Sequence, residues 1–216
     1  MFRHAVNRFG AVIEMLRLGL TGGIASGKSA VAAMLREMGF AVLDADGLAH
    51  KLIEPGQPAY DEVVKEFGSS IVDASGRVDR TKLGAIVFAD QAKLDRLNAI
   101  VHPRVAEVVF SQFEAWRRSG VPDAAFVEAA LLIESGIHKK LDGLVVAWCT
   151  PEQQLERLLA RGLSETEALR RMAAQLPVEE KLRLASEKID CSGTLEETRR
   201  QVEALATKLR FSQAAR

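Results

Sequence analysis

The stretch Leu16–Met38, LRLGLTGGIASGKSAVAAMLREM, decides the fold. Its centre, Gly22–Ser29, reads GGIASGKS and fits the pattern G-x-x-x-x-G-K-[ST]. Before it, Leu16, Leu18 and Leu20 alternate as in a strand. After it, Val31, Met34, Leu35 and Met38 recur at helical spacing. Strand, glycine loop and helix together are the setting of a phosphate-binding loop. Glycines let the chain curl so that successive N–H groups face one anion, and the helix N-terminus adds its positive dipole end. Gly22, Gly23, Ile24, Ala25, Ser26, Gly27, Lys28, Ser29 and Ala30 are therefore the candidate nucleotide-binding residues. Lys28 is placed to reach the terminal phosphates, and the Ser29 hydroxyl to ligate Mg2+. The alternative is a glycine turn that binds nothing.

Outside this loop, short apolar runs alternate with helix-length segments, which predicts an α/β fold with a parallel sheet. The predicted strands are Leu16–Leu20, Phe40–Leu43, Ala124–Glu128, Gly143–Trp148 and Lys188–Asp190. Five strands covered by helices on both faces make a three-layer P-loop sandwich. About eighty residues between the second and third strands hold no good strand, too many for a plain connection. They read as helices at Asp61–Phe67, Lys82–Phe88, Lys93–Val101 and Pro103–Arg118, forming a helical insertion over about 55–120. Its use is either to hold a second substrate or to complete the structure.

The 216 residues suit one domain, with residues 15–216 as a single unit. Of these, 48% are apolar and the formal net charge is zero, so no global field favours nucleic acid or an acidic membrane. No apolar stretch approaches the roughly 20 residues of a membrane span. Two cysteines, Cys149 and Cys191, argue against a disulfide framework and suit a reducing cytoplasm; both close predicted strands that could be neighbours, so the readings are buried inert thiols or a chance contact. The first fourteen residues precede a second methionine, Met15. Phe2, Val6, Phe9 and Ile13 follow helical spacing there, so the segment is a short amphipathic or targeting helix, or a loosely held extension.

After the fourth strand, Pro151 opens a helix in which Arg157 and Arg161 stand four residues apart and so share a face. Ser164 is a helix N-cap with Glu167 three positions on, opening a small helical flap. The segment at about 157–180 is either a lid whose arginines meet a triphosphate or an ordinary solvated face. Behind the second strand, Asp44 and Asp46 fall where ligands of open α/β sheets bind. One carboxylate there would orient or deprotonate an attacking hydroxyl and the other would face Mg2+, on one side of an extended chain. The alternative is that either one caps the helix beginning near Gly47.

The chain resembles the dephospho-coenzyme A kinases over nearly its whole length, from about Met15 onward. The resemblance is carried by GLTGGIASGKS (Gly19–Ser29), LDADGLAHKLIEPGQPA (Leu43–Ala59), LNAIVHPRV (Leu97–Val105), EAALLIESG (Glu128–Gly136), TPEQQLERLLAR (Thr150–Arg161), RRMAAQ (Arg170–Gln175) and IDCSG (Ile189–Gly193). It implies transfer of the ATP γ-phosphoryl group to the ribose 3′-hydroxyl of dephospho-coenzyme A, the last step of coenzyme A synthesis. Asp46 would be the base, Lys28 and Ser29 would hold phosphates and Mg2+, and Arg157 and Arg161 would belong to the lid. Thr21 and His102 would join Asp46 in contacting substrate; His102 before Pro103 is otherwise a helix-start residue. Asp44 is a second candidate for Mg2+. The implied partners are small molecules only, with no nucleic acid or membrane, in a cytoplasmic monomer or weak homo-oligomer. Three departures stand out: Ala130 where relatives have proline, Cys191 where they have asparagine, and Gly162 where an acidic residue is usual. Other readings are a different small-molecule or nucleoside monophosphate kinase, and a nucleotide-dependent switch protein.

Overall fold

A computed structural model describes residues 15–120 and 124–214. The expected helical spacing at Phe2, Val6, Phe9 and Ile13 lies outside the described residues. By contacts the described residues divide into one unit that runs up to residue 43 and resumes at residue 112, and another formed by 44–111.

The first unit is built on the sheet. Strands β1 (Leu16–Thr21), β2 (Ala41–Asp44), β3 (Ala124–Glu128), β4 (Gly143–Trp148) and β5 (Glu187–Asp190) lie in the order β2-β3-β1-β4-β5. β1 pairs in parallel with β3, Leu20 opposite Glu128, and with β4, Thr21 opposite Val146. β4 pairs in parallel with β5, Trp148 opposite Asp190. This register brings the C-terminal ends of β1, β3, β4 and β5 to one edge. All five residues of β3 are buried, as a central parallel strand covered on both faces requires. β5 at the sheet margin alternates, and exposes Lys188.

Helices α1 (Lys28–Glu37) and α9 (Leu195–Ala214) contribute to one core. Leu18, Leu20, Val31, Leu35, Phe126, Val145, Ile189, Val202 and Leu209 pack there. Phe40 meets Phe126 edge to face at 5.7 Å, a favoured aromatic geometry. α6 (Pro151–Ala160) starts with a capping box in which Thr150 Oγ1 accepts from Gln153 N–H and Gln153 Oε1 from Thr150 N–H. α7 (Glu165–Ala173) is capped by Ser164, whose Oγ accepts from Glu167 N–H at 3.3 Å. Glu167 does not return the bond; its carboxylate pairs with Arg170 and with Arg171, the latter at 2.8 Å. Charge-assisted bonds to guanidinium are the stronger choice. α8 (Val178–Leu184) follows.

The second unit holds α2 (Ala45–Leu52), α3 (Tyr60–Phe67), α4 (Arg80–Val87) and most of α5 (Gln91–Arg118), which leaves it at residue 112. Asp79 caps α4 by accepting from Thr81 and Lys82 N–H. Two expectations are corrected here. Separate helices ending at Val101 and starting at Pro103 are instead one helix of 28 residues with Pro103 inside it. A proline there forfeits a backbone bond and costs about 3 kcal/mol. The buried stripe Val101, Val105, Val109 and Phe113 runs unbroken past it and favours continuity. Arg104 also folds back, donating to the carbonyls of Ile100 and Pro58 and pairing with Glu62. Secondly, the chain is not extended from Asp44 to Asp46, because α2 already begins at Ala45.

Among the described residues no helix is long and apolar enough to cross a membrane.

Candidate active site

The glycine loop leaves β1 at Thr21 and enters α1 at Lys28. Gly27, the N-cap of α1, has φ 104°, and a Cβ there would lie 2.8 Å from Cys191 Cβ. At Gly22 a Cβ would lie 2.2 Å from the Ala147 carbonyl oxygen. Both positions demand glycine, one for its backbone and one for space. Ser26 N–H donates to the Gly23 carbonyl and closes the curl.

Several features fit an oligophosphate. α1 has no side-chain cap, unlike α2, α4, α6 and α7, and no acidic residue in its first turn. The N–H groups of Ala25, Gly27 and Ser29 have no backbone acceptor among the described residues. Ser26 Oγ is buried with no hydrogen-bond partner among them. Such donors in a closed-off loop are costly unless an anion meets them. Ser29, on the first turn of α1, is exposed. No cluster of three or more His, Cys, Asp or Glu able to cage a metal occurs among the described residues. The Ser29 hydroxyl is a side chain that could hold Mg2+ alongside substrate phosphates, since this ion takes few protein ligands.

Lys28 Nζ sits 3.0 Å from Glu128 Oε1, and Arg36 Nη2 3.4 Å from Glu128 Oε2. Glu128 ends β3 and is 4% exposed. From sequence Glu128 is only the end of a strand and the start of EAALLIESG, with no role of its own. The available signal was an acidic residue ending a wholly apolar strand.

Arg157 and Arg161 do not share a destination. Arg157, half-buried, donates Nη1 to the Ala25 carbonyl at 3.1 Å and Nη2 to the Cys191 carbonyl at 2.7 Å. Arg161 terminates α6 and is exposed. Arg161 follows directly on the last residue of α6, so the four-residue spacing sets where the two side chains start and not what they meet. Cys191 meets Arg157 through its main chain, so cysteine in place of asparagine leaves that bond intact. Both cysteines are buried and free. Burial pushes the Cys149 thiol up and the Cys191 thiol to about 11.

Three more side chains that spacing had not singled out hold the loop or its surroundings. Gln154 Nε2 donates to the Ile24 carbonyl and Gln175 Oε1 accepts from Ile24 N–H, each at 2.8 Å. Lys181, wholly buried, donates to the Ala130 carbonyl at 2.8 Å and pairs with Glu134 at 2.9 Å. Thr21 is buried, and its hydroxyl donates to the same Ala130 carbonyl at 3.2 Å.

The second unit carries the other candidates. Asp44 is the N-cap of α2, its Oδ1 accepting from Gly47 N–H at 2.9 Å. Asp46 occupies the first turn of α2, where a carboxylate meets the positive end of the helix dipole. One turn on, His50 Nε2 lies 3.2 Å from Arg80 Nη2. Partial burial, then the Arg80 guanidinium, hold the His50 pKa below its ordinary value against the carboxylates of Asp46 and Asp44. His102 is not a helix-start residue, since it lies half-buried within α5.

The dephospho-CoA kinase family model matches residues 16–197. A dephospho-CoA kinase of Symbiobacterium thermophilum is 50% identical over 188 residues, covering 87% of this chain and 78% of that protein. The crystal structure of TT1252 from Thermus thermophilus is 35% identical, with a TM-score of 0.76 over 91% of this chain and 98% of that one. A dephospho-CoA kinase structure from Campylobacter jejuni is 26% identical, with a TM-score of 0.66 over 89% of this chain and 96% of that one.

Proposed function

This chain belongs to the dephospho-CoA kinase family, and from that premise we propose how its own residues carry the reaction. The activity is ATP-dependent phosphorylation of dephospho-coenzyme A in coenzyme A synthesis. The observation that carries the assignment of residues is the uncapped start of α1, with Lys28 beside amides that have no backbone acceptor among the described residues.

In this reading the amides of Ala25, Gly27 and Ser29 and the Lys28 ammonium hold the β- and γ-phosphates. Ser29 would supply the protein ligand of a Mg2+ ion, whose chemistry there would be to neutralise phosphate charge. Glu128 keeps Lys28 extended along the sheet edge, since a carboxylate 3.0 Å away fixes an otherwise flexible ammonium. Asp46 orients the ribose 3′-hydroxyl and accepts its proton. The hydroxyl oxygen then bonds to the γ-phosphorus, the β–γ bridging bond breaks, and ADP leaves. Arg161, exposed and at the end of α6, is the arginine available to meet the transferring group, with Arg157 holding the loop. Thr21 and His102 remain candidate substrate contacts, and Asp44 a candidate for the Mg2+ environment through the carboxylate oxygen not used in capping. Two buried free thiols and a nucleotide substrate support a cytoplasmic setting, with the chain acting as a monomer or weak homo-oligomer on small molecules alone.

Incubation with ATP, Mg2+ and dephospho-coenzyme A tests this. The expected product gains one phosphate on the ribose 3′-oxygen, read by mass and by sensitivity to a 3′-phosphatase. ATP hydrolysis without a phosphorylated acceptor would refute it.

A further inference from the structure

Ile24 has both its main-chain N–H and its carbonyl held by side chains, the carbonyl by Gln154 and the N–H by Gln175. Gln175 is 151 residues from Ile24 in sequence and lies between α7 and α8. Its own segment is anchored. Leu176 N–H donates to Glu134 Oε1 at 3.0 Å, and the same oxygen pairs with the buried Lys181 ammonium. Lys181 reaches on to the Ala130 carbonyl, which also receives the Thr21 hydroxyl from the end of β1. A closed circuit of polar contacts therefore runs from the glycine loop through residues 175–181 to the turn after β3, and back to the strand that feeds the loop. Apolar packing reinforces it: Ile24 and Met172 pack against the cluster of Ala25, Leu158 and Ala168.

We infer that Gln175 is a positioning residue for the nucleotide, acting through the Ile24 amide. This rests on the reading that the loop holds ATP. Its side-chain carbonyl draws the Ile24 N–H to the protein, while the amides of Ala25, Gly27 and Ser29 have no backbone acceptor among the described residues. Gln175 thus divides the loop between amides spent on scaffolding and amides kept for anion. A loop so fixed loses less freedom when ligand arrives, which favours binding. Gln175 does not touch reacting atoms. Its removal should weaken ground-state and transition-state binding alike, raising the KM for ATP and sparing kcat.

Steady-state kinetics on Gln175→Ala and Gln175→Asn tests this, with each substrate varied in turn. Asparagine keeps the amide but is one methylene too short to reach Ile24. Both variants should raise the ATP KM about five- to tenfold, the scale of one lost hydrogen bond. The dephospho-coenzyme A KM and kcat should stay within about twofold on the same argument. An ATP KM unchanged in Gln175→Ala, or equal rises for both substrates, would overturn the inference. Lys28→Ala separates it from its premise. Lost turnover there, with an unchanged ATP KM in Gln175→Ala, refutes the positioning role alone, whereas full turnover in Lys28→Ala refutes the loop reading itself.

Discussion

Lys28 Nζ lies 3.0 Å from Glu128 Oε1, and the two side chains are only 12% and 6% exposed. The pair joins the first residue of α1 to the last of β3, across a strand pair whose register sets Leu20 opposite Glu128. A buried carboxylate flanked by Lys28 and Arg36 holds two cations in place. Glu128→Ala would leave them without it. The expected cost is about 3 kcal/mol of stability, the scale of breaking a buried ion pair from one side. Urea unfolding of parent and variant measures it, and a loss below about 0.5 kcal/mol would mean the pair is solvated in practice.

Asp46 and Asp44 should separate cleanly. With Asp46 as the base, Asp46→Asn should keep the ATP KM and lose turnover by about two to four orders of magnitude, the range of general-base catalysis. Asp44→Ala removes the cap of α2 instead, and should cost about 1 kcal/mol in stability. Turnover in Asp46→Asn within a few-fold of the parent would take the base role from that residue.

The arginines make an opposed pair. Arg157→Ala frees the Ala25 and Cys191 carbonyls and should lower both stability and ATP affinity, by about 1–3 kcal/mol for two charge-assisted bonds. Arg157→Lys cannot reach both carbonyls at once and should recover only part of this. Arg161→Ala should leave the melting temperature alone and lower kcat by an order of magnitude or more. Equal melting temperatures for Arg157→Ala and the parent would contradict the clamp.

Alkaline pH should expose the burial of Cys191. Its folded pKa is raised to about 11 from an ordinary 9.0. Between those values the folded state holds a proton that the unfolded chain has released, so stability falls as pH rises from 9 toward 11. Two pKa units correspond to roughly 2–3 kcal/mol. The contribution is the difference between parent and Cys191→Ala, followed by urea unfolding across that range. A difference independent of pH would show the thiol to be open to water. Native Cys191 should also resist a thiol reagent at pH 8 and react once the chain is unfolded.

Much of the architecture was legible because its signals are local. Leu16, Leu18 and Leu20 alternate, Val31 and Leu35 stand one helical turn apart, and GGIASGKS requires its own backbone shape. All five strands therefore matched the expected ones to within a residue or two at each end. Pro103 misled for the same reason. Its local preference ends helices, and only the buried stripe through Val101, Val105 and Phe113 overrides it. Asp44 and Asp46 misled because alternation assumes an extended chain, while the Asp44 side chain starts a helix one residue later.

What short-range pattern alone settled is the strand, glycine loop and helix from Leu16 to Glu37, since neighbours in sequence make them. The assignment of partners came from folding. Lys28 finds Glu128 100 residues away, Ala25 finds Arg157 at 132 and Ile24 finds Gln175 at 151. A hydrogen bond depends on where two chains meet in space, and no periodicity records that meeting. The glycine loop announces itself in eight letters; the side chains that hold it rigid could be known only once the sheet had brought them together.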